Sequence, residues 1–536
     1  LRIGACLHTR TYALAHVYQA LLTRIYLTSK VMPLLAAVAV TLCTAMVLVV
    51  WSVMGGFLTM LLSTGRSMVG DVSITWPTTG FAHYERLIEL LEQDKAMVLA
   101  ATPVIETLAM ASLPDDRVEA VTVRGIDPAT YSKVVDFDQS LWWRPVTEAL
   151  PRDKSRADVR LDPNYATDLD QVLTDGRRLA EPDRNVGPGA LVPAAIPGIE
   201  LLGLSTRSPE GFYSVDRGRV KLTATGDVRN VGVFAPATRI TLRVVPFDSQ
   251  GREVSLVPGV FPIANEFRTG VYEVDRRTVM VPLARLQQML KMDQATIVDT
   301  QSAENDAFSP DAPKPGVRIA PARVTTVLVR APNGISPETL REYCEGVYAS
   351  FAAEFAGQVP SGDLMARNRG RIVRTWEDQN ATLVGAVRKE TGLVLMLLWL
   401  ISLVASFLIL AIFWAMISEK TKDIGTLRAI GASGRGIAGI WLAYGLVIGI
   451  IGSALGLALA SVIVLNINPI HEWLGSAVGL YVWDPRVYYF ATIPNKIELH
   501  RALTVGLCGV GFSLLGAIIP ALRAAAMKPV AALRFE

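Results

Sequence analysis

The chain has 536 residues, 51% hydrophobic and only 19% charged, with 52 Lys and Arg against 49 Asp and Glu for a formal net charge of +3. So apolar a composition excludes a disordered or collagenous chain and does not suit a soluble enzyme of this length, so membrane spans are expected. The small net charge, with no Lys/Arg block interleaved with aromatics, gives no support for a nucleic-acid partner, and none is expected.

Residues 1–30 hold Arg2, Arg10, Arg24 and Lys30 and no acid, with Tyr12, Leu14, Tyr18, Leu21, Leu22, Ile25 and Tyr26 at near-helical spacing. This predicts a cytoplasmic amphipathic segment lying on the membrane surface. Residues 31–65 form the first uncharged run able to cross roughly 30 Å of hydrocarbon. The run is too long for a signal-peptide core and lacks a small-residue cleavage site, so it reads as an uncleaved anchor.

Residues 66–390 contain no further span and read as one large α+β domain. Strands are expected at 72–76, 104–112, 118–123 and 324–330, and helices at 81–92 and from Pro337 to about Phe355, the latter N-capped by Ser336. The two strand-helix halves, far apart in sequence, are expected to share one layer. Between them, residues 218–292 read as an inserted strand-rich subdomain, with strands at 220–225, 240–245, 270–274 and 278–281. Residues 138–188 and 302–321, rich in Pro, Asp, Arg and Asn, read as loops. Asp158, Asp162, Asp168, Asp170 and Asp175 lack the order of a calcium loop and read as a solvated face.

Three more spans follow at 391–418, 437–465 and 502–522, separated by a connection at 419–436 and a loop at 466–501 and followed by a tail at 523–536. The 419–436 connection carries Lys420, Lys422, Arg428 and Arg435 against Glu419 and Asp423, and the tail carries Arg523, Lys528 and Arg534. The excess of basic residues places both in the cytoplasm, and hence residues 66–390 and 466–501 outside. The outer loop's Trp473, Tyr481, Trp483, Tyr488 and Tyr489 suit a membrane interface.

Catalytic and cofactor signatures are missing. Cys6, Cys43, Cys344 and Cys508 are isolated from one another in sequence, the five histidines form no metal motif, and no metal ligand set is assigned. No GxxxxGK[ST] phosphate-binding loop occurs, so nucleotide-driven work is expected from a partner. In the 419–433 segment Ile424, Leu427 and Ile430 recur at helical spacing, Gly431 can end that helix and Ser433 can cap the next, which predicts a compact knuckle. Gly445, Gly449, Gly452 and Gly456, with Ala460, give the third span a closely packing face.

The runs EKTKDIGTLRAIGAS (419–433), PALRAAAMKPVAALRFE (520–536) and VRKETGLVLMLLWLISLVASFLI (387–409) resemble ABC-transporter permeases of the FtsX/MacB superfamily, and more closely those of the lipoprotein-releasing LolC/LolE type. WSVMGGF (51–57), VRGIDP (123–128), FRTGVYEVDRRTVMVPLARLQQML (267–290) and DPRVYYFATIPNKIEL (484–499) look like the same family. The resemblance implies a bacterial inner-membrane protein whose four transmembrane helices flank a MacB-like periplasmic core domain. It implies no enzyme activity in this chain, which would bind no cofactor, and ATP and Mg used by a separate ATPase subunit. A second permease chain and a periplasmic lipoprotein chaperone are the further implied partners, alongside membrane lipid.

By the same resemblance, Glu419, Lys420, Lys422, Asp423, Ile424, Gly425, Leu427, Arg428, Ile430, Gly431 and Ser433 form the ATPase-coupling segment. The implied function is release of lipoproteins, with a MacB-like exporter of peptides or amphiphiles, or an FtsX-like regulator of a cell-wall hydrolase, as alternatives. Moving three acyl chains into water would cost on the order of 30 kcal/mol at about 0.8 kcal/mol per CH₂, so an apolar cavity between the first two spans is expected. Met54, Phe57, Met60 and Leu61 on the first span, and Leu395, Leu398, Trp399 and Phe407 on the second, are the expected lining.

Overall fold

The computed structural model describes residues 31–146, 160, 166–183, 189–203, 205–207, 213–215, 220–222, 228–230, 239–246, 255–299, 316–360, 371–478 and 493–533. The expected surface-lying segment before residue 31, residues 147–159, 161–165 and 184–188 of the loop expected at 138–188 (with Asp158 and Asp162), residues 302–315 of that expected at 302–321, and the loop aromatics Tyr481, Trp483, Tyr488 and Tyr489 lie outside the described residues. The chain divides into two compact units, one built on Leu61–Ala381 and the other on the residues up to Met60 with Thr382–Val482 and Thr492–Glu536. Helix α1 (Val31–Val69) opens the described chain.

The first unit is an α+β fold. Its elements are β1 (Val72–Thr75), α2 (Tyr84–Leu91), β2 (Ala100–Ser112), β3 (Val118–Ile126), α3 (Ala166–Arg178), β4 (Ile196–Pro197), β5 (Arg239–Val244), β6 (Val257–Pro262), β7 (Thr278–Pro282), α4 (Leu283–Leu290), β8 (Thr326–Arg330), α5 (Pro337–Glu354) and β9 (Val373–Thr375). Among the described residues these strands make a nine-stranded sheet in the order β9-β1-β8-β2-β3-β7-β4, with β5 paired to the far half of β2 and β6 to β5. Val72 stands opposite Val329, and Val104 opposite Thr326, so the distant halves do share one layer. The run Thr326-Val327-Leu328-Val329 is buried throughout because both faces of the sheet are covered. Val327 and Val329 pack toward Leu340, Cys344 and Phe351 of α5, while Leu328 joins Tyr131 and Phe137 on the opposite face.

Several expectations need correction. Two strands expected in the inserted subdomain extend the main sheet, Thr241 of β5 pairing with Ser112 and Met280 of β7 running parallel to Arg124, whereas Val220–Leu222 pairs with Val228–Asn230 in a separate hairpin. Residues 270–274, expected as a strand, lead into a helix at Tyr272–Arg277, because the buried Asp275 carboxylate accepts from the Thr269 and Gly270 amides at 2.7 and 3.0 Å and turns the chain there. Phe81–Ala82 is a short strand, so the helix expected over 81–92 starts only at Tyr84. Within the expected loop at 138–188, Ala166–Arg178 is a helix anchored by the buried Leu169, and it carries Asp168, Asp170 and Asp175. The cap expected for α5 is present: Ser336 Oγ accepts from the Thr339 amide at 3.1 Å, with Pro337 in the first turn.

The second unit is helical. With α1 it comprises α6 (Ala381–Glu419), α7 (Thr421–Ala429), α8 (Gly434–Leu465), α9 (Leu499–Ala526) and α10 (Pro529–Leu533), besides a helix at Ile467–Val478. Among the described residues, four of its helices are long and apolar enough to cross a membrane: Pro33–Met60 within α1, Val384–Glu419 within α6, α8 and α9. Helix α6 starts ten residues before the uncharged run at 391, because Arg388, Lys389 and Glu390 favour a helix although they would end a hydrophobic stretch.

Candidate functional site

The glycines of α8 set how closely its neighbours approach. A methyl group added at Gly445 would lie 2.7 Å from Ala517 Cβ, and one at Gly449 would lie 3.0 Å from Ser513 Cβ, both on α9. The next two glycines face α1, with Val40 Cβ and Thr44 Cβ each 2.8 Å from the methyl positions of Gly452 and Gly456. One stripe thus seats two helices, and hydroxyls fasten them: Ser513 Oγ donates to Gly445 O at 2.9 Å and Thr41 Oγ1 to Gly452 O at 3.1 Å. Helix α6 is tied on by Ser406 Oγ, donating to Phe512 O at 3.1 Å. Phe413, Trp441 and Tyr444 fill the core beside them, with ring centroids 5.6 and 6.0 Å apart.

Between α1, α6 and α9 lies an apolar cavity of about 90 Å³. Val40, Cys43, Thr44, Val47 and Trp51 line it from α1, and Leu395, Trp399, Ser402, Ala405 and Ile409 from α6. Thr504, Val505, Cys508, Gly509 and Phe512 close it from α9. Cys43 Sγ donates to Ser402 Oγ at 3.2 Å across the helices, whereas Thr44 Oγ1 is buried without a hydrogen-bond partner among the described residues. Of the residues expected to line a cavity, Leu395 and Trp399 do so. Leu398 is buried on another face, Phe407 is 61% exposed, Met54, Phe57 and Met60 are half-buried outside the lining, and the side chain of Leu61 lies outside the described ones. On α1 the lining lies nearer the start of the span than the expected residues, with positions 40, 44, 47 and 51 at helical spacing.

Above Trp51 the WSVMGGF motif has a packing role. Gly55 leaves room for the Arg501 guanidinium, which a methyl group there would overlap, and Gly56 lies against Pro494. Arg501 Nε is held by Glu498 at 3.1 Å.

The 419–433 knuckle is a helix and a stop. Helix α7 ends with Gly431 at φ 108, where Ala432 N donates to Leu427 O at 2.9 Å and Gly431 N to Arg428 O at 3.2 Å. This paired bonding satisfies the last carbonyls of the helix. Two residues later Ser433 Oγ accepts from Gly436 N at 3.1 Å and starts α8.

The apolar stripe of α7 is split. Ile424 is 3% exposed and packs with Met416, Ile417 and Ile437 in the bundle core, whereas Ile430 is 81% exposed and Leu427 lies between. Gly425 is buried, Lys422 and Asp423 are exposed, and Glu419 lies exposed at the end of α6. Lys420 Nζ donates to Asp423 Oδ2 at 2.9 Å. Arg428 is half-buried: its Nη1 and the Ala525 carbonyl both approach Gly434, at 3.1 and 2.9 Å from that residue's methyl position. The guanidinium therefore sits beside the C-terminal turn of α9, where a helix dipole favours a cation.

In the α+β unit the motif residues build the fold. Arg124 of VRGIDP stands opposite Glu106 across the sheet, pairs with it, and donates to Tyr131 Oη at 3.2 Å. Gly125 lets α4 approach, since a methyl there would lie 2.8 Å from Leu286 Cδ2, and Asp127 caps the helix that Pro128 begins. Burial raises the Asp275 carboxyl to about 6 and pushes the Cys344 thiol up to about 12, which leaves that thiol unreactive. Among the described residues, no group of three or more His, Cys, Asp or Glu is placed to hold a metal ion.

Residues 395–529 match the FtsX-like permease C-terminal family. The chain is 28% identical over 177 residues to the lipoprotein-releasing system transmembrane protein LolC of Xylella fastidiosa strain Temecula1, covering 33% of this chain and 43% of that protein. It is 26% identical over 164 residues to LolC of Neisseria meningitidis serogroup B, covering 31% and 40%. LolE of Haemophilus influenzae is 28% identical over 126 residues, covering 24% and 30%. The chain thus spans less than half the length of each of these curated relatives. It carries an FtsX-like permease domain within a multi-pass membrane protein. Its likeness to LolC and LolE agrees with the FtsX/MacB-superfamily resemblance of its motifs.

Proposed function

We propose that the chain is the permease subunit of an ABC transporter that releases lipoproteins from the inner membrane. The observation that carries this reading is the FtsX-like region at 395–529 in a chain similar to proteins of lipoprotein-releasing systems. In this reading a separate ATPase, using ATP and Mg, docks on the cytoplasmic knuckle, and a second permease chain completes the membrane part. Ile430 is the apolar contact offered to the ATPase, with Lys422 as a charged neighbour. Ile424 and Arg428 belong to the relay, because they bind α7 to the bundle rather than to a partner. Motion of α7 reaches α8 through the short Gly431–Ser433 joint, and the glycine stripe passes it to α1 and α9.

The cavity supports an acylated cargo. It is apolar, it is lined by α1, α6 and α9, and each acyl carbon sheltered there is spared about 0.8 kcal/mol of contact with water. The α+β unit would lie outside the membrane and pass cargo to a chaperone. The test is reconstitution of the full chain with its ATPase in proteoliposomes loaded with acylated or unacylated protein. ATP-dependent release of the acylated form alone supports the reading. Release of unacylated peptide would favour a MacB-like exporter, and the absence of a stable complex with any ATPase would remove the transport reading.

A further inference from the structure

The bundle end that carries α7 and α10 is strongly basic. From Glu419 to Arg435 and from Arg523 to Leu533, six Lys and Arg stand against two carboxylates, and one of these, Asp423, already accepts from Lys420. Arg523 is held in a particular way: its guanidinium carbon lies 3.9 Å from the ring centroid of Trp414, so the end of α9 meets the end of α6 through a cation and an aromatic ring. The indole attracts the cation through its π face but offers no lone pair, so the guanidinium's N–H donors still require acceptors. Arg523 is exposed, and no carboxylate among the described residues pairs with it. One and two turns deeper on the same face of α9, Ile519 and Leu515 are exposed, and Phe407 is exposed two turns below Trp414 on α6. A fixed cation therefore stands at the head of an apolar stripe.

We propose that Arg523, set on Trp414, binds the phosphate of an anionic phospholipid from the surrounding bilayer. A guanidinium fork matches phosphate oxygens two at a time, and the ring behind it limits the freedom lost on binding. Indoles favour the headgroup level of a bilayer, and the surplus of cations at this end favours a headgroup with net negative charge. The stripe below takes the acyl chain. None of this depends on the cargo or on the ATPase.

Native mass spectrometry of the full chain, titrated with palmitoyl-oleoyl phosphatidylglycerol and separately with the phosphatidylcholine of the same chains, tests the site. Phosphatidylglycerol should bind more tightly, and Arg523→Gln should weaken its binding about tenfold while leaving phosphatidylcholine nearly unchanged. Trp414→Leu should weaken it by a smaller factor, and Arg523→Lys should restore part of the loss. Arg435→Gln removes the same charge from an exposed position at the same end and should change the affinity less than about twofold. Equal losses in the Arg435 and Arg523 variants would assign binding to the diffuse field and overturn the site. Unchanged phosphatidylglycerol affinity in Arg523→Gln would also overturn it, and with a lowered melting temperature it would leave the contact as a helix clamp only.

Discussion

Truncating Ile430 to Ala should weaken docking of the ATPase subunit about thirtyfold while leaving the melting temperature of the chain unchanged. Ile430 is 81% exposed at the tip of the knuckle, so nothing within the described bundle loses packing when its side chain is shortened. Three carbons are removed, each worth about 0.8 kcal/mol when buried in a partner, for a loss of about 2 kcal/mol, or roughly thirtyfold in affinity. The companion variant Ile424→Ala alters a side chain that is 3% exposed among Met416, Ile417 and Ile437. It should destabilise the bundle by about 2–5 kcal/mol through the cavity it leaves. The assay is binding of the purified ATPase to the chain in nanodiscs, with a thermal melt of each variant beforehand. Unchanged ATPase affinity in Ile430→Ala, with a weakened but fully stable Ile424→Ala, would refute the division of the stripe.

Other consequences follow from the same packing. Gly452→Val would force its side chain against Val40 Cβ, 2.8 Å from the methyl position, and should destabilise by about 1–3 kcal/mol in denaturant titration, whereas Gly511→Ala, with open space around it, should be neutral. Val47→Trp fills much of the roughly 90 Å³ cavity and should depress ATP-driven release of acylated cargo while ATPase binding persists; full release would disconnect the cavity from transport. Burial holds the Asp275 carboxyl at about 6, above its unfolded value, so its contribution to stability is complete below about pH 4 and is lost as pH rises through 6. That loss is on the order of 3 kcal/mol, and Asp275→Asn should flatten the melting profile between about pH 4 and 7; an unchanged slope would place the titration elsewhere.

The sequence reveals those features that have local causes. Long uncharged runs mark the spans, Ser336 and Pro337 mark the start of α5, and Gly431 and Ser433 mark the two ends of the knuckle's turn. Which way each span faces is another matter. On α6, Leu397 is exposed and its neighbour Leu398 is buried, yet the two are chemically identical, so apolar periodicity carries no phase within a fully apolar helix. The cavity lining on α1 and the exposed Phe407 on α6 were hidden for that reason. The joining of β5 and β7 to the main sheet depends on pairings with residues more than a hundred positions away, which no local pattern reports. Helix α3 was masked by its acids, because Leu169 alone is its buried apolar anchor. Ile424 and Ile430 differ only in what lies beside them in three dimensions.

The proposed function makes the chain a lever across the membrane, with the knuckle at one end and the α+β unit at the other, and the sidedness of those ends tests it most directly. In a background stripped of native cysteines, Thr426→Cys on the knuckle and Glu342→Cys on α5, both exposed positions, are labelled in intact spheroplasts with a membrane-impermeant maleimide. The account predicts labelling of position 342 alone until the membrane is opened, after which 426 reacts as well. Labelling of both before opening, or of neither, would put the knuckle and the α+β unit on one side and leave no membrane-crossing lever.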